Sequence, residues 1–566
     1  MIQRLRLILK TLRKEELILE HIPGQKHICL DLNLHIDMSN FIYHILNKIR
    51  RPYLFLLVII PLSCEILEEN PQTQISTENF YQNESDAFQS LNAAYARLKS
   101  NNGYYKQLFL TALFASSDQG LSTYLWKDFK TGNVVNTNSN LFPIWRDIYI
   151  GIRDANNVIA NIENINIDSE LKLRIIGEAR FLRALHYFNL VRCFGEIPLR
   201  TSPAKDGEDN GLELSNINEV YEVIIDDLNH ASENCWSKNE TRNGYTNELG
   251  RVTKTAAHAL LTKVYLRIAS SKRTASEGVE GNNSYLEFSE NPVFYYQLAK
   301  SHADHAIAGD GFSLSSNLNE YTKIFSPDNG NSPEMIFEVQ GSSIIGQGTA
   351  VSNLFSPKDS GLCGTGFGGT NKLKGKFINL RINKNDNRFQ NTIIKEYQNN
   401  TRSFQITPNN VGYIPRDLVT GDQKGTLWQI WTAKYIDTEA TTEYTSRQNW
   451  HIIRLADVYL MRAEALAEIS QNPSLANDDI NILRSRVEMN DFDASGLSMD
   501  QFRTRLLQER GVELYMEGHR FFDLTRMGVY DEYCKTIYGE LEGQRQAEDY
   551  FWPIPVEETT ANNNIY

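Results

Sequence analysis

The sequence predicts a mainly α protein, built from tetratricopeptide-like helix pairs that carry long loop insertions and a few short strands. Apolar residues recur near every 3.6 positions in many separate segments, the mark of amphipathic helices. Three of these segments, ALHYFNLVRCFG, ALLTKVYLRIA and ADVYLMRAEALAE, combine a small Ala, an aromatic and a Leu. The small residue lets a neighbouring helix approach and the ring fills the remaining gap, which is the logic of tetratricopeptide pairs. Unrelated amphipathic helices would give the same periodicity. The third observation is that the intervening stretches are long and rich in Gly, Asn, Ser and Thr.

In chain order, helices are predicted over residues 85–100, 144–162, 178–199 (stopping at its glycine and proline), 218–235, 253–270 and 294–309. Further helices follow over residues 454–469, 475–488 and 498–528. In the third helix, Phe181, Leu185 and Phe188 stand at i, i+4 and i+7 and face a core, and Ala184 makes room for a partner. Glu178, Arg180 and Arg183 read as ion pairs tying helices together rather than as ligand contacts. Along the last segment, Glu513, Glu517, Arg520, Asp523 and Arg526 fall at helical spacings and are expected to support one another. Insertions occupy residues 101–143, 236–252, 271–293 and 310–450, and loops this long usually carry function. Short strands are expected within the last insertion at residues 334–340 and 434–436.

Composition excludes some functions. The chain has 566 residues, 41% apolar and 22% charged, with a net charge of −13 and no local Lys/Arg run. Nucleic acid is therefore not an expected partner, because phosphate binding needs a basic footprint. The six cysteines are scattered without a CxxC pair, so neither a metal framework nor a dense disulfide scaffold is indicated.

Lys48, Arg50 and Arg51 precede the apolar run YLFLLVIIPL, then Ser63 and Cys64. A basic flank, a short apolar run and a small residue before a cysteine form an export signal. The run is too short to span a bilayer comfortably; a buried strand or core helix is the competing reading. The site is similar to the lipobox of bacterial lipoproteins, in which the cysteine becomes the lipidated first residue, although Pro61 and Leu62 depart from the usual pattern. Met38 would begin a signal of ordinary length. Residues 1–37 are then an upstream extension, 38–63 the signal peptide, and 64–84 the lipid anchor and tether.

Ordered blocks along the rest of the chain carry a resemblance. They are LNAAYARL, SSDQG, WRDIYIGIRDANNVI, GEARFLRALHYFNLVRCFGEIPL, EMIFEVQ, NDNRF, RLADVYLMRAEALAE, ERGVELYMEGHRFFDLTRMG and FWPIPVEE. In this order they resemble the SusD/RagB family of outer-membrane nutrient-binding lipoproteins. The resemblance divides the chain into an N-terminal SusD-like helical region, 85–270, and a C-terminal RagB/SusD region, 271–566, with ligand-face loops in 310–450. It implies a surface-exposed lipoprotein, anchored through Cys64 to the outer membrane and facing the exterior. Such a protein captures a glycan and delivers it to a SusC-like TonB-dependent transporter. The alternatives are a peptide ligand, or a helical adaptor with only a protein-docking role. Glu65, Glu68 and Glu69 are similar to the acidic tag that directs such lipoproteins outward.

No enzyme is expected. HExxH, GxSxG and the phosphate-cradling GxxxxGK[ST] are all missing from the sequence. GTGFGG reads as a flexible loop, and His302 with His305 as a solvated helix face. DNGNS and NKNDN lack EF-hand spacing and read as turns. No cofactor or metal is expected. A pyranose offers apolar C–H faces to flat rings and hydroxyls to amides and carboxylates. The ligand-binding candidates are therefore loop aromatics: Tyr124 and Trp126 in STYLWKDFKTGN, and Trp428 and Trp431 in GTLWQIWTAKY. Phe355 and Phe367 are further candidates. Asp118, Asn133 or Asn136 would supply hydrogen bonds.

Overall fold

Helix-forming segments announce themselves by their caps. Helix α1 (Glu84–Ala96) opens on a reciprocal Asn83/Asp86 capping box. A short apolar helix, α2 (Leu108–Ala115), is buried along almost its whole length. Then follow α3 (Leu141–Ile162), α4 (Ser169–Phe194) and α5 (Ile217–Asn234), the last with an Asn216/Glu219 capping box. Thr253 caps α6 (Lys254–Ser276), and Asn291 caps α7 (Pro292–Ile307), whose proline occupies the first turn. The C-terminal half adds α8 (Leu455–Ser470), α9 (Asn477–Ser485), α10 (Met499–Glu513) and α11 (Arg520–Arg526). The computed structural model describes residues 80–121, 124–204, 211–407 and 411–565. Residues 1–37, the signal peptide 38–63, Cys64 and most of the tether 64–84 lie outside the described residues.

Successive helices pack as pairs, α3 with α4, α4 with α5, α6 with α7 and α7 with α8. The three Ala–aromatic–Leu segments belong to α4, α6 and α8, and α6 touches both of the others. Their alanines Ala184, Ala259 and Ala456 are fully buried, as are Phe181, Tyr187 and Phe188. Burying each such ring stabilises the fold by about 1.5–3 kcal/mol.

The expected ion pairs are present. Glu178 accepts from Arg174 at 2.7 Å, Arg183 holds Asp227 through two bonds of 2.7 Å, and Arg180 reaches Asp226 at 3.0 Å. Near the C-terminus the arrangement differs from one continuous helix. Helix α10 stops at Glu513; Met516 (φ 60°) and Gly518 (φ 79°) turn the chain left-handed before α11. Glu513 and Glu517 therefore pair across the fold rather than along a helix. Arg454 donates to both at 2.7 Å and to Glu334 at 3.0 Å, Arg486 reaches Glu513 at 2.6 Å, and Lys434 reaches Glu517 at 2.7 Å. Burial alone would raise the Glu517 carboxyl, but Arg454 and Lys434 hold it down to about 2. Residues 434–436, expected as a strand, are irregular, because the Lys434 ammonium is drawn into this network.

Strands are short and stitch the loops to the scaffold. With β1 (Gly120–Leu121) and β2 (Met335–Val339) come β3 (Lys372–Lys374), β4 (Glu396–Gln398), β5 (Arg402–Ile406), β6 (Tyr413–Asp417), β7 (Gln429–Ile430) and β8 (Trp450–Arg454). The expected strand at 334–340 is β2, which pairs antiparallel with β8 at the entry to α8. The hairpin array β4–β5–β6 lies entirely inside the long insertion.

Candidate functional site

The loop segments singled out by their aromatics meet at one sheet. Strand β3 is central: Gly120 of β1 lies opposite Leu373, and Gln429 of β7 lies opposite Lys374. The segment Tyr124–Trp126 thus leaves one edge strand, while Trp428 and Trp431 bracket the other. A Cβ on Gly120 would sit 2.0 Å from the Phe114 ring and 2.4 Å from the Lys372 carbonyl oxygen, so glycine permits this close approach.

Several candidates are committed to the interior instead. Asp118 is fully buried, and its two oxygens accept from Arg520 Nε at 2.7 Å and Nη2 at 2.9 Å. The expectation that Asp118 serves a ligand is corrected accordingly: desolvated and bidentately paired, it is a scaffold tie. Trp126 is 5% exposed, with its ring 5.4 Å from that of Phe129, so the loop ring expected at the surface pins the loop instead. Trp431 is 6% exposed and packs edge-on against Tyr397 at 5.6 Å in the small core beneath β4–β6. Its surface expectation is corrected for the same reason. Phe355 is buried against Trp450 and Tyr435, whereas Phe367 is half-buried. The side chain of Tyr124 lies outside the described residues. Asn133 and Asn136 are exposed, and Asn133 donates to the Thr131 hydroxyl.

Trp428 is different: the side chain is 44% exposed. Glycine backbone lies beneath its ring. A Cβ on Gly412 would come 3.3 Å from Trp428 Cε3, and one on Gly375 would come 3.5 Å from the same atom. The backbone beside the ring is itself held, since Tyr413 and Leu427 exchange backbone hydrogen bonds of 2.6 Å. Gly375 N–H donates to the Trp428 carbonyl at 3.4 Å. A flat ring fixed in this way loses little freedom when a ligand stacks on it. Phe129, Gly132 and Val134, from a short helix and the turn after it, also wall a cavity of about 230 Å³, with Tyr530, Phe551 and Trp552 on its other sides. The sequence reading did not find Gly375 and Gly412, and nothing local in the chain marks them.

Among the described residues, no group of three or more His, Cys, Asp or Glu side chains is placed to hold a metal ion. His302 does not stand on a free solvated face as expected. Its Nδ1 lies 3.0 Å from His258 Nδ1 and its ring stacks on Tyr265, while His305 stacks on His258. Burial, with His305 nearby, lowers the His302 imidazole to about 4. The residues of DNGNS and NKNDN lie in turns and short helices.

Known proteins give the family. The model for the SusD family matches residues 280–566, and one described as "Starch-binding associating with outer membrane" matches residues 65–266. SusD-like protein P25 of Formosa agariphila is 27% identical over 90% of this chain and 96% of its own length. The starch-binding protein SusD of Bacteroides thetaiotaomicron is 23% identical over 69% of this chain and 72% of its own. Among solved structures, a laminarin-binding SusD-like protein superposes with a TM-score of 0.65 at 24% identity, covering 86% of this chain and 99% of that one. A SusD homologue from Bacteroides thetaiotaomicron gives 0.68 at 22% identity, over 88% and 98%. These structural likenesses establish the fold.

Proposed function

Because this chain belongs to the SusD family, we propose that it captures a glycan at the outer membrane and delivers it to a TonB-dependent transporter. The observation that carries this reading is Trp428, a large flat ring held half-exposed over glycine backbone, beside the sheet that gathers the two aromatic loops. Stacking on such a ring suits the C–H face of a sugar, and the ring needs no rearrangement to receive it. Relatives named for starch and laminarin support a glycan over a peptide. The lipid anchor at Cys64 and an outward-facing position belong to the same proposal, as does a binding role without catalysis.

Affinity electrophoresis against a polysaccharide panel tests it. The protein should be retarded by at least one glycan without releasing reducing ends. Trp428→Ala should remove that retardation while leaving the helical circular dichroism unchanged. Release of reducing ends would overturn the non-enzymatic reading. Retardation that survives Trp428→Ala would remove the site.

A further inference from the structure

Five helices converge on a small buried cavity of about 30 Å³, the scale of a water or two or of one small ion. Arg192 of α4 lines it, with Lys263 and Arg267 of α6, Arg510 of α10, and Asp523 and Arg526 of α11. Met461 of α8, Phe188 and Phe522 supply apolar wall.

The cations here outnumber their acids. Lys263 pairs with Asp457 at 2.8 Å, Arg510 with Asp457 and Asp523, both at 2.9 Å, and Arg526 with Glu464 at 2.5 Å. Those three carboxylates answer those three cations. Glu517, which lines the adjoining cavity, is taken by Arg454 and Lys434. Arg192 and Arg267 are both buried and form no ion pair among the described residues; their hydrogen bonds go to neutral groups.

Those neutral groups occupy only part of each guanidinium. Arg192 lies between the Phe188 and Phe522 rings, 3.9 and 3.8 Å from their centroids. Its Nε donates to the Phe188 carbonyl at 3.0 Å and its Nη2 to Asn189 Oδ1 at 2.6 Å. Arg267 Nε donates to the Tyr285 hydroxyl, and Nη1 to the Phe522 carbonyl and the Thr525 hydroxyl. Arg267 Nη2 is fully enclosed and has no hydrogen-bond partner in the protein. Arg180, Arg273, Arg486 and Arg510 also enclose an unbonded nitrogen, but each of them holds a carboxylate. Arg545 forms no ion pair either, yet Asp549 lies within its field. Burial pulls the Arg192 guanidinium below its ordinary range, and Arg267 pushes the same way through space. A buried charge is costly unless paired, and a like charge nearby adds repulsion.

We propose that this cavity binds a small monovalent anion, a halide such as chloride, which accepts from Arg267 Nη2 and offsets the charge of Arg192 and Arg267. Water would satisfy the donor and leave the charge uncompensated. Sulfate or a carboxylate ligand is too large for the space, and the aromatic and thioether walls suit a polarisable ion. The ion ties α4 and α6 to the corner formed by α10 and α11. This site is independent of the Trp428 reading.

Calorimetric melting of the full chain tests it, with sodium gluconate exchanged stepwise for sodium chloride at constant ionic strength. The melting temperature should rise and then saturate, by about 2–3 °C once chloride exceeds its dissociation constant about a hundredfold. Arg192→Met and Arg267→Met should each raise the half-saturating chloride concentration by about tenfold, the loss of one charged partner. Crystals of the parent protein grown in sodium bromide should show an anomalous peak in the cavity, within hydrogen-bond distance of Arg267 Nη2. That measurement decides the matter even where a variant does not fold. A melting temperature indifferent to the exchange of gluconate for chloride would overturn the proposal. So would a cavity without bromide, a bromide peak with no chloride-dependent stability (binding at crystal concentration only), or a chloride effect unchanged in both variants.

Discussion

Asp118→Ala separates a scaffold role from a ligand role at a residue that the sequence offered for binding. Its carboxylate is fully buried, bonded twice to Arg520, whose other nitrogen Nη1 donates to the Leu507 carbonyl at 2.9 Å. Removing the acid strands a buried guanidinium, which costs about 3–5 kcal/mol when one partner of a buried pair is lost. Over the unit Thr77–Tyr566, an unfolding entropy of about 2.1 cal/mol/K per residue sums to about 1 kcal/mol/K. The melting temperature should therefore fall by about 3–5 °C, as read by circular dichroism or calorimetry. Replacing both members, Asp118→Leu with Arg520→Met, should recover most of the loss, because no charge is left unpaired. Glycan affinity of the folded single variant should stay within about twofold of the parent, well under 1 kcal/mol. A variant that melts like the parent but has lost its ligand would refute the reasoning.

Glu338 gives a pH signature of known sign. Burial raises its carboxyl to about 7, against the Asn331 N–H and Asn449 amide that favour the ionised form. Ionising it costs folding energy that is absent below the ordinary value near 4.5 and grows as pH rises through 7. Glu338→Gln should therefore melt higher than the parent at pH 8 and converge with it near pH 4; the reverse order would contradict the assignment. Glu517, held down to about 2, works the other way. Its contribution is complete above the unfolded value and is lost as pH falls through 2, so Glu517→Gln should destabilise at pH 7 and much less at pH 2. Cys193, Cys235 and Cys534 are buried free thiols, while Cys363 is partly exposed. Site-resolved mass spectrometry after native alkylation should find Cys363 modified first among these four, and slowly, since burial lifts its thiol to about 11.

The helices were legible because their signals are local. Periodicity, caps such as Asn216 and Ser498, and small residues such as Ala184 act within a turn or two, and these segments fold as the pattern requires. The strand β2 was readable for the same reason. The break at Met516–Gly518 was hidden because Glu513, Glu517 and Arg520 keep helical spacing while their partners come from Arg454, Arg486 and Asp118. Spacing along the chain says nothing about which distant charge arrives.

The same limit decides which candidate aromatics stay exposed. Trp428 and Trp431 stand three apart around one short strand, with the same side chain in the same composition, yet one is 44% exposed and the other 6%. What separates them is the hairpin array β4–β6, which delivers Tyr397, Phe404 and Tyr413 onto Trp431 and presents Gly412 backbone to Trp428. Those contacts cross from a separate stretch of the insertion, so the choice between pinning a loop and offering a platform is made by tertiary packing. A ring stays exposed here when its neighbours have no side chains with which to cover it, and Gly375 with Gly412 supply that condition at Trp428, whereas Trp126, Trp431 and Phe355 are buried among other side chains and Phe367 is half-buried.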